Sequence, residues 1–171
     1  RGFVKESDRE EPPFIPSRPP LPEGTPNYVT KLGLKLLQAE MKELEKEKKS
    51  VLQMEHEQER RKALVVVNRK IAQVEERIQS ARLIVAEEQE KDKVRFGAKV
   101  QLEVISGKDQ GKVYQFSIVG VDEANVKEGK LPFTAPFVKN LIGMMVGELK
   151  TFKMGDLEQN LKLQTIDYEL E

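Results

Sequence analysis

The sequence contains no cysteine, no tryptophan and a single histidine, His56. Without cysteine there can be no disulfide bond, thiol nucleophile or cysteine-ligated metal, which is typical of a protein from a reducing compartment. With one histidine, neither a Ser-His-Asp arrangement nor a His-Glu-x-x-His metal site can be completed. Glycine-rich phosphate-binding motifs are absent too. We therefore expect a protein that is not itself an enzyme and that has no cofactor or metal site of its own.

The charges are dense but balanced. Lys plus Arg and Asp plus Glu each number 29 among 171 residues, so the formal net charge is zero. A basic excess, the usual mark of a protein that binds free nucleic acid, is missing, and this favours protein partners. Apolar runs of the 18 to 20 residues that a transmembrane helix needs are missing as well, so we expect a cytoplasmic protein.

Residues 1–26 form a proline-rich segment that carries seven of the nine prolines. Its few apolar side chains cannot bury enough surface to offset the entropy of ordering, which predicts a disordered or extended tail. Two alternatives remain open. The apolar pairs Phe3-Val4 and Phe14-Ile15 could dock on the folded body or on a partner, and the prolines could form a polyproline ligand.

The stretch from Thr30 to Asp92 has apolar residues at helical spacing and contains no proline. One series follows Leu34 and another follows Val67, with steps of three and four residues. Between them, Met54 to Lys62 has no apolar residue after Met54. An antiparallel hairpin that pivots near Glu59 would place Val51 opposite Val67, with arms of about 27 residues and roughly 40 Å. The alternative is one continuous helix that dimerises, because no turn-forming residue marks the reversal.

From Val94 onward the pattern changes to short alternating strands separated by glycines, with one short helix that begins at Pro136. The sequence therefore predicts an α+β protein in three parts. These are a disordered tail at residues 1–26, a coiled-coil hairpin at residues 27–93 and a small β-rich domain at residues 94–171.

The acidic residues at the predicted tip are the candidate for chemistry. Glu55, Glu57 and Glu59 surround His56. Glu55 and Glu59 are four apart, on one face if helical, and their carboxylates could share a cation such as Mg²⁺. The simpler interpretation is solvated charge that Arg60, Arg61 and Lys62 neutralise.

Several short motifs, taken together, resemble the GreA/GreB family of bacterial transcription elongation factors. They are Tyr28-Val29-Thr30 with Gly33, Phe96-Gly97-Ala98-Lys99-Val100, Ile118-Val119-Gly120-Val121-Asp122-Glu123-Ala124, Gly129-Lys130, Ala135-Pro136, Leu141-Ile142-Gly143 and Val146-Gly147. The resemblance covers nearly everything after the tail. It implies an antiparallel coiled-coil hairpin, which favours the fold-back over the dimer, and an FKBP-like C-terminal domain without isomerase activity.

The resemblance also implies a partner. In that family the C-terminal domain docks on RNA polymerase, and the hairpin enters the secondary channel, where acidic tip residues help to hold Mg²⁺ at the polymerase active site. By resemblance, the docking positions are Asp122, Glu123, Ala124, Thr134, Ala135 and Pro136. Nucleic acid is then contacted only indirectly, through the polymerase complex, and we expect a monomer.

This sequence departs from the family at the tip, because nothing between Ser50 and Asn68 matches the family's Gly-Asp-x-x-Glu-Asn-like stretch. We therefore expect a polymerase-binding regulator of elongation without efficient cleavage stimulation. The alternative is a cleavage-stimulating factor in which Glu55, Glu57 or Glu59 replaces the usual Mg²⁺ ligands. A more remote alternative is a general interaction protein whose residues 94–171 bind peptides.

Overall fold

The first half of the chain folds into a helical hairpin. In the computed structural model, which describes residues 13–168, helix α1 spans Lys31–Leu52 and helix α2 spans Glu57–Ser80. Thr30 is the N-cap of α1, and its hydroxyl oxygen accepts a hydrogen bond from the Gly33 amide at 2.9 Å. The two helices pack against each other within one chain, so the predicted hairpin is confirmed and the continuous helix is wrong.

The register of the hairpin differs from the prediction. The chain reverses at residues 53–56, not near Glu59. Val51 lies one residue from the end of α1, whereas Val67 lies ten residues into α2, so these two side chains are about 14 Å apart along the axis. The offset between Leu44 and Val67 is only about 3 Å by the same arithmetic. The predicted facing of Val51 and Val67 is therefore wrong.

The polar run that suggested the reversal belongs mostly to helix α2. Glu57 and Glu59 lie in its first turn, where the positive end of the helix dipole stabilises acidic side chains. The Arg60 guanidinium reaches back and donates a hydrogen bond to the Met54 carbonyl at 3.1 Å. The missing apolar residues therefore mark an exposed first turn, and the reversal itself takes up only the four residues before it.

The second arm ends earlier than its apolar spacing predicts. Helix α2 stops at Ser80, and Ala81–Leu83 forms strand β2, which pairs in parallel with strand β1 at Asn27–Val29. The buried Asn27 amide donates to the Arg77 carbonyl at 3.0 Å and so satisfies one of the free carbonyls at the helix end. A short 3-10 turn follows at Ala86–Glu88.

The arms contain 22 and 24 residues and measure about 33 and 36 Å, shorter than predicted. Neither arm, nor the short helix described next, combines the length and apolarity that crossing a membrane requires.

A five-stranded sheet with one helix forms the C-terminal domain. Its strands are β3 at Ala98–Val104, β4 at Val113–Val119, β5 at Lys130–Pro132, β6 at Leu149–Met154 and β7 at Leu157–Tyr168, and helix α3 spans Pro136–Leu141. The strand order is β5-β4-β3-β7-β6, antiparallel except for the parallel β4–β5 pair. Val138 and Leu141 of α3 are fully buried against the sheet, together with Phe152. The predicted α+β class, a helical hairpin followed by a small β-rich domain, is confirmed.

Candidate functional sites at the two ends of the hairpin

The tip of the hairpin presents three exposed glutamates. Glu55 lies in the reversal, and Glu57 and Glu59 lie in the first turn of α2. The Glu57 carboxylate accepts a hydrogen bond from Arg61 at 2.7 Å, an i,i+4 pair on the exposed helix surface. Because Glu55 precedes the helix, the condition under which it would share a helical face with Glu59 is not met.

The tip side chains do not converge on a common point. Within residues 13–168, no group of three or more histidine or acidic side chains is arranged to hold a metal ion. His56 occupies the N-cap of α2 without a side-chain hydrogen bond to the helix. The tip therefore carries negative charge, but its side chains would have to rearrange before they could coordinate a cation.

The base of the hairpin is a far more ordered site, built around two buried carboxylates that follow strand β4. The side chains of Asp122 and Glu123 are only 6% and 5% exposed. The Glu123 carboxylate accepts a hydrogen bond from the Thr30 hydroxyl, and it lies 4.0 Å from the Lys130 ammonium. Thr30 thus joins the start of α1 to the C-terminal domain with the same hydroxyl that caps the helix.

Asp122 lies between two arginines from different parts of the chain. Arg18 donates to its carboxylate at 3.1 Å, and Arg77 of α2 lies 3.6 Å away. Arg18 also forms a two-pronged pair with Glu40 of α1, at 2.7 and 3.0 Å. The hydrogen bond to Glu40 raises the pKa of Arg18 against the opposing effect of burial, so the guanidinium stays charged. One side chain therefore bridges the hairpin and the C-terminal domain.

Aromatic packing and a close backbone contact complete the base. The rings of Tyr28, Phe96 and Phe133 form a cluster with centroids 5.4 to 5.8 Å apart. A Cβ atom at Gly120 would lie 2.5 Å from the Tyr28 carbonyl oxygen, so only glycine lets the two backbones approach this closely. The hairpin is therefore seated on the C-terminal domain by apolar as well as charged contacts.

This arrangement changes the interpretation of the six predicted docking positions. Asp122 and Glu123 are occupied by contacts within the chain and do not lie on a free surface. Ala124, Thr134 and Ala135 are partly buried, and Pro136 is exposed. Strands β4 and β5 are parallel, so the loops that follow them leave the same edge of the sheet and bring the two groups to one end of the domain. Their polymerase-binding role stays a prediction.

The proline-rich segment takes part in the base. Residues 13–26 contain no helix or strand, yet Arg18 contacts Glu40 and Asp122, and the Pro19 carbonyl accepts a hydrogen bond from Arg77. At Arg18 and Pro19 the segment therefore contacts the folded body, while it keeps the irregular conformation of an extended tail. Of the apolar pairs, Phe14 is 87% exposed whereas Ile15 is partly buried, and Phe3-Val4 lies outside the described residues. The only sequence feature that could have indicated this contact was Arg18 among prolines, and an isolated arginine does not show which residues it pairs with.

Comparison with known proteins finds a family match in the C-terminal domain. Residues 89–168 match the family described as "Transcription elongation factor, GreA/GreB, C-term". Transcription elongation factor GreA of Thermodesulfovibrio yellowstonii is 41% identical over 78 residues, which cover 46% of this chain and 48% of that protein. Residues 89–168 are therefore similar to the C-terminal domain of the GreA/GreB family.

Other GreA/GreB proteins extend the match toward the hairpin. GreA of Anaeromyxobacter sp. is 35% identical over 99 residues, 58% of each chain, and GreA of Amoebophilus asiaticus is 29% identical over 137 residues, 72% of this chain and 85% of that protein. The chain spans about half the length of the first two relatives. Solved structures include the GreA/GreB factor of Nitrosomonas europaea, 14% identical over 82% of this chain and 97% of that one, with a TM-score of 0.41.

Proposed function

We propose that this protein is a transcription elongation factor that binds RNA polymerase and inserts its hairpin into the secondary channel, without efficient stimulation of transcript cleavage. The observation that carries the proposal is the match of residues 89–168 to the C-terminal domain of the GreA/GreB elongation factors. That domain is joined to a hairpin through buried contacts, so polymerase binding by the domain would aim the hairpin.

The shape of the hairpin supports insertion into a channel. Its arms are about 33 and 36 Å long, and a pair of packed helices is only about 20 Å wide with side chains. The tip glutamates are exposed and lie at the reversal, at the opposite end of the helices from strands β1 and β2. A rod of this kind can reach a recessed site that a globular domain cannot enter.

The tip geometry argues against efficient cleavage stimulation. Ligands for a catalytic Mg²⁺ must be held within a fraction of an ångström of the required geometry. Glu57 is instead engaged with Arg61, and all three glutamates are exposed on separate positions of the reversal and first turn. Flanking Arg60, Arg61 and Lys62 further reduce the local negative charge. The proposed factor therefore occupies the channel and modulates elongation or competes with cleavage-active relatives.

The proposal also implies a partner, a source of Mg²⁺ and a cellular compartment. RNA polymerase is the partner, nucleic acid is contacted only through the polymerase complex, and any Mg²⁺ at the tip is shared with the polymerase active site. Such a factor acts in the cytoplasm.

Purified polymerase in backtracked complexes provides the test. We expect the full chain to release short RNA products no faster than buffer, and to slow the release that a cleavage-active GreA produces, in proportion to its concentration. Failure to compete at saturating concentration, together with no capture of polymerase on a resin, would refute the proposal.

The alternative, a cleavage-stimulating factor, is favoured by one observation, the grouping of three exposed carboxylates at the tip. Efficient product release by the wild type, abolished by the triple change of Glu55, Glu57 and Glu59 to Ala with polymerase capture intact, would establish it instead. If the same triple variant competes as well as the wild type and neither releases product, the first proposal stands.

The docking loop is tested with Pro136→Glu. Pro136 is exposed at the first position of α3, where glutamate is well tolerated, so the fold should be kept. Asn140→Glu, with the same charge change on the same helix, is the matched control. We expect weaker polymerase capture for Pro136→Glu alone. Equal capture by both variants would move the docking surface away from this loop.

A further inference from the structure

Residues 13–26, called here the strap, cross the base of the hairpin on the side of Asp122. Arg18 is the centre of the strap, and its side chain is only 17% exposed. Through it the strap contacts Glu40 on α1 and Asp122 in the C-terminal domain, and the neighbouring Pro19 carbonyl contacts Arg77 on α2. A single segment therefore contacts both helices and the domain at once.

We propose that the strap is a clamp that fixes the direction in which the hairpin projects from the C-terminal domain, with Arg18 as the positioning residue. This goes beyond the proposed function, because it concerns the free protein and holds whatever the partner is.

The position of Glu40 gives the clamp its mechanical effect. Glu40 lies nine residues beyond the start of α1, about 14 Å along the hairpin from its base. The β1–β2 pair and the aromatic cluster lie at the base itself, so they oppose bending on a shorter lever arm than a contact at Glu40. A contact made part-way up one arm and anchored to the domain opposes bending far more strongly.

The buried charges at the base depend on Arg18 for balance. Asp122 Oδ2 and Arg77 Nη1 make no hydrogen bond within the described residues and lie 3.6 Å apart, and both side chains are largely buried. Without Arg18, Asp122 would keep only this looser pairing, and a buried carboxylate with a poor partner favours opening of the site to water. Loss of Arg18 should therefore loosen the hairpin without unfolding either part.

Spin labels provide the measurement, because a chain without cysteine accepts two labels cleanly. Gln58→Cys near the tip and Gln110→Cys in the β3–β4 turn are both exposed. In the full chain with native Arg18, we expect a narrow distribution of distances between the labels. Arg18→Ala should shift and broaden it, and Arg18→Lys, which keeps the charge but not the two-pronged geometry, should give an intermediate width.

Two further variants keep the result interpretable. Glu40→Gln removes the charge that pairs with Arg18 on α1. Because the Glu40 side chain is 43% exposed, this change should hardly affect the fold, and it should also broaden the distance distribution between the labels. Arg61→Ala breaks an ion pair of similar length at the tip and should leave it unchanged. A narrow, unshifted distribution in both Arg18→Ala and Glu40→Gln, with circular dichroism unchanged, would overturn the proposal.

Discussion

Tyr168 illustrates how one hydroxyl can connect distant parts of the chain. It is the last residue of strand β7, and its hydroxyl lies 2.9 Å from the Lys93 carbonyl and accepts a hydrogen bond from the Arg95 amide at 3.1 Å. The side chain is 6% exposed, and burial raises the pKa of the hydroxyl above its ordinary value. Tyr168 therefore ties the end of the sheet to the segment that leads from the hairpin into the domain.

We expect Tyr168→Phe to lower the free energy of unfolding at pH 7 by about 1 to 2 kcal/mol, because buried backbone groups lose their partner. The raised folded-state pKa means that the hydroxyl's contribution is fully present below about pH 10, the ordinary tyrosine pKa, and is lost as the pH rises through the folded value. Urea unfolding at pH 7 and near pH 10.5 measures both effects.

Tyr114→Phe is the control for Tyr168, since Tyr114 stacks on Phe116 and its hydroxyl makes no hydrogen bond in the described residues. It should leave the free energy of unfolding at pH 7 unchanged. An alkaline loss that persists in full in Tyr168→Phe would show that other groups cause it.

Residue types alone could not show whether Asp122 and Glu123 form an exposed recognition site or buried contacts within the chain. An acidic pair in a loop after a strand ordinarily points to an exposed recognition site. Here the pair is buried because its partners, Arg18, Thr30 and Arg77, come from segments that are distant in sequence. Only the folded topology reveals that pairing. The capped start of α1 at Thr30, by contrast, is a local feature and could be predicted.

Among the elements, the hairpin has a register that can be tested directly. We expect the pair Leu44→Cys with Val67→Cys to form a disulfide under mild oxidation much faster than Val51→Cys with Val67→Cys. The reason is the axial offset, about 3 Å in the first pair and about 14 Å in the second. Comparable rates, or faster oxidation of the second pair, would restore a pivot near Glu59. Non-reducing electrophoresis gives the rates.

The hairpin also shows where periodicity is a reliable guide and where it is not. Buried Leu37, Leu44 and Val74 follow the predicted spacing, because helical packing imposes it. Ala81 continues the spacing but belongs to a strand, since pairing with β1 overrides the local pattern there. A parallel pair of three-residue strands has no sequence signature, so β1 and β2 could not be predicted.

For the whole molecule we expect a monomer in solution. The apolar seams of α1 and α2 are buried against each other, with Val67 and Val74 at most 1% exposed. Exposed apolar residues on the arms, such as Leu36 and Val65, are scattered and form no stripe that a second chain could cover. Light scattering behind size exclusion should give one mass near 19.6 kDa at all loading concentrations. A dimer that persists on dilution would contradict this.

The pairing of β1 with β2 also sets an order of events in folding. The two strands are separated by about 50 residues, and closing so long a loop costs roughly 3.5 kcal/mol of chain entropy. The pairing of two three-residue strands does not offset this entropy cost by itself. The strands should therefore pair only after the two helices have packed against each other, starting at the reversal, and have brought the ends of the loop close together. We therefore expect the hairpin to form first, beginning at the reversal, and the β1–β2 pairing at its base to form last.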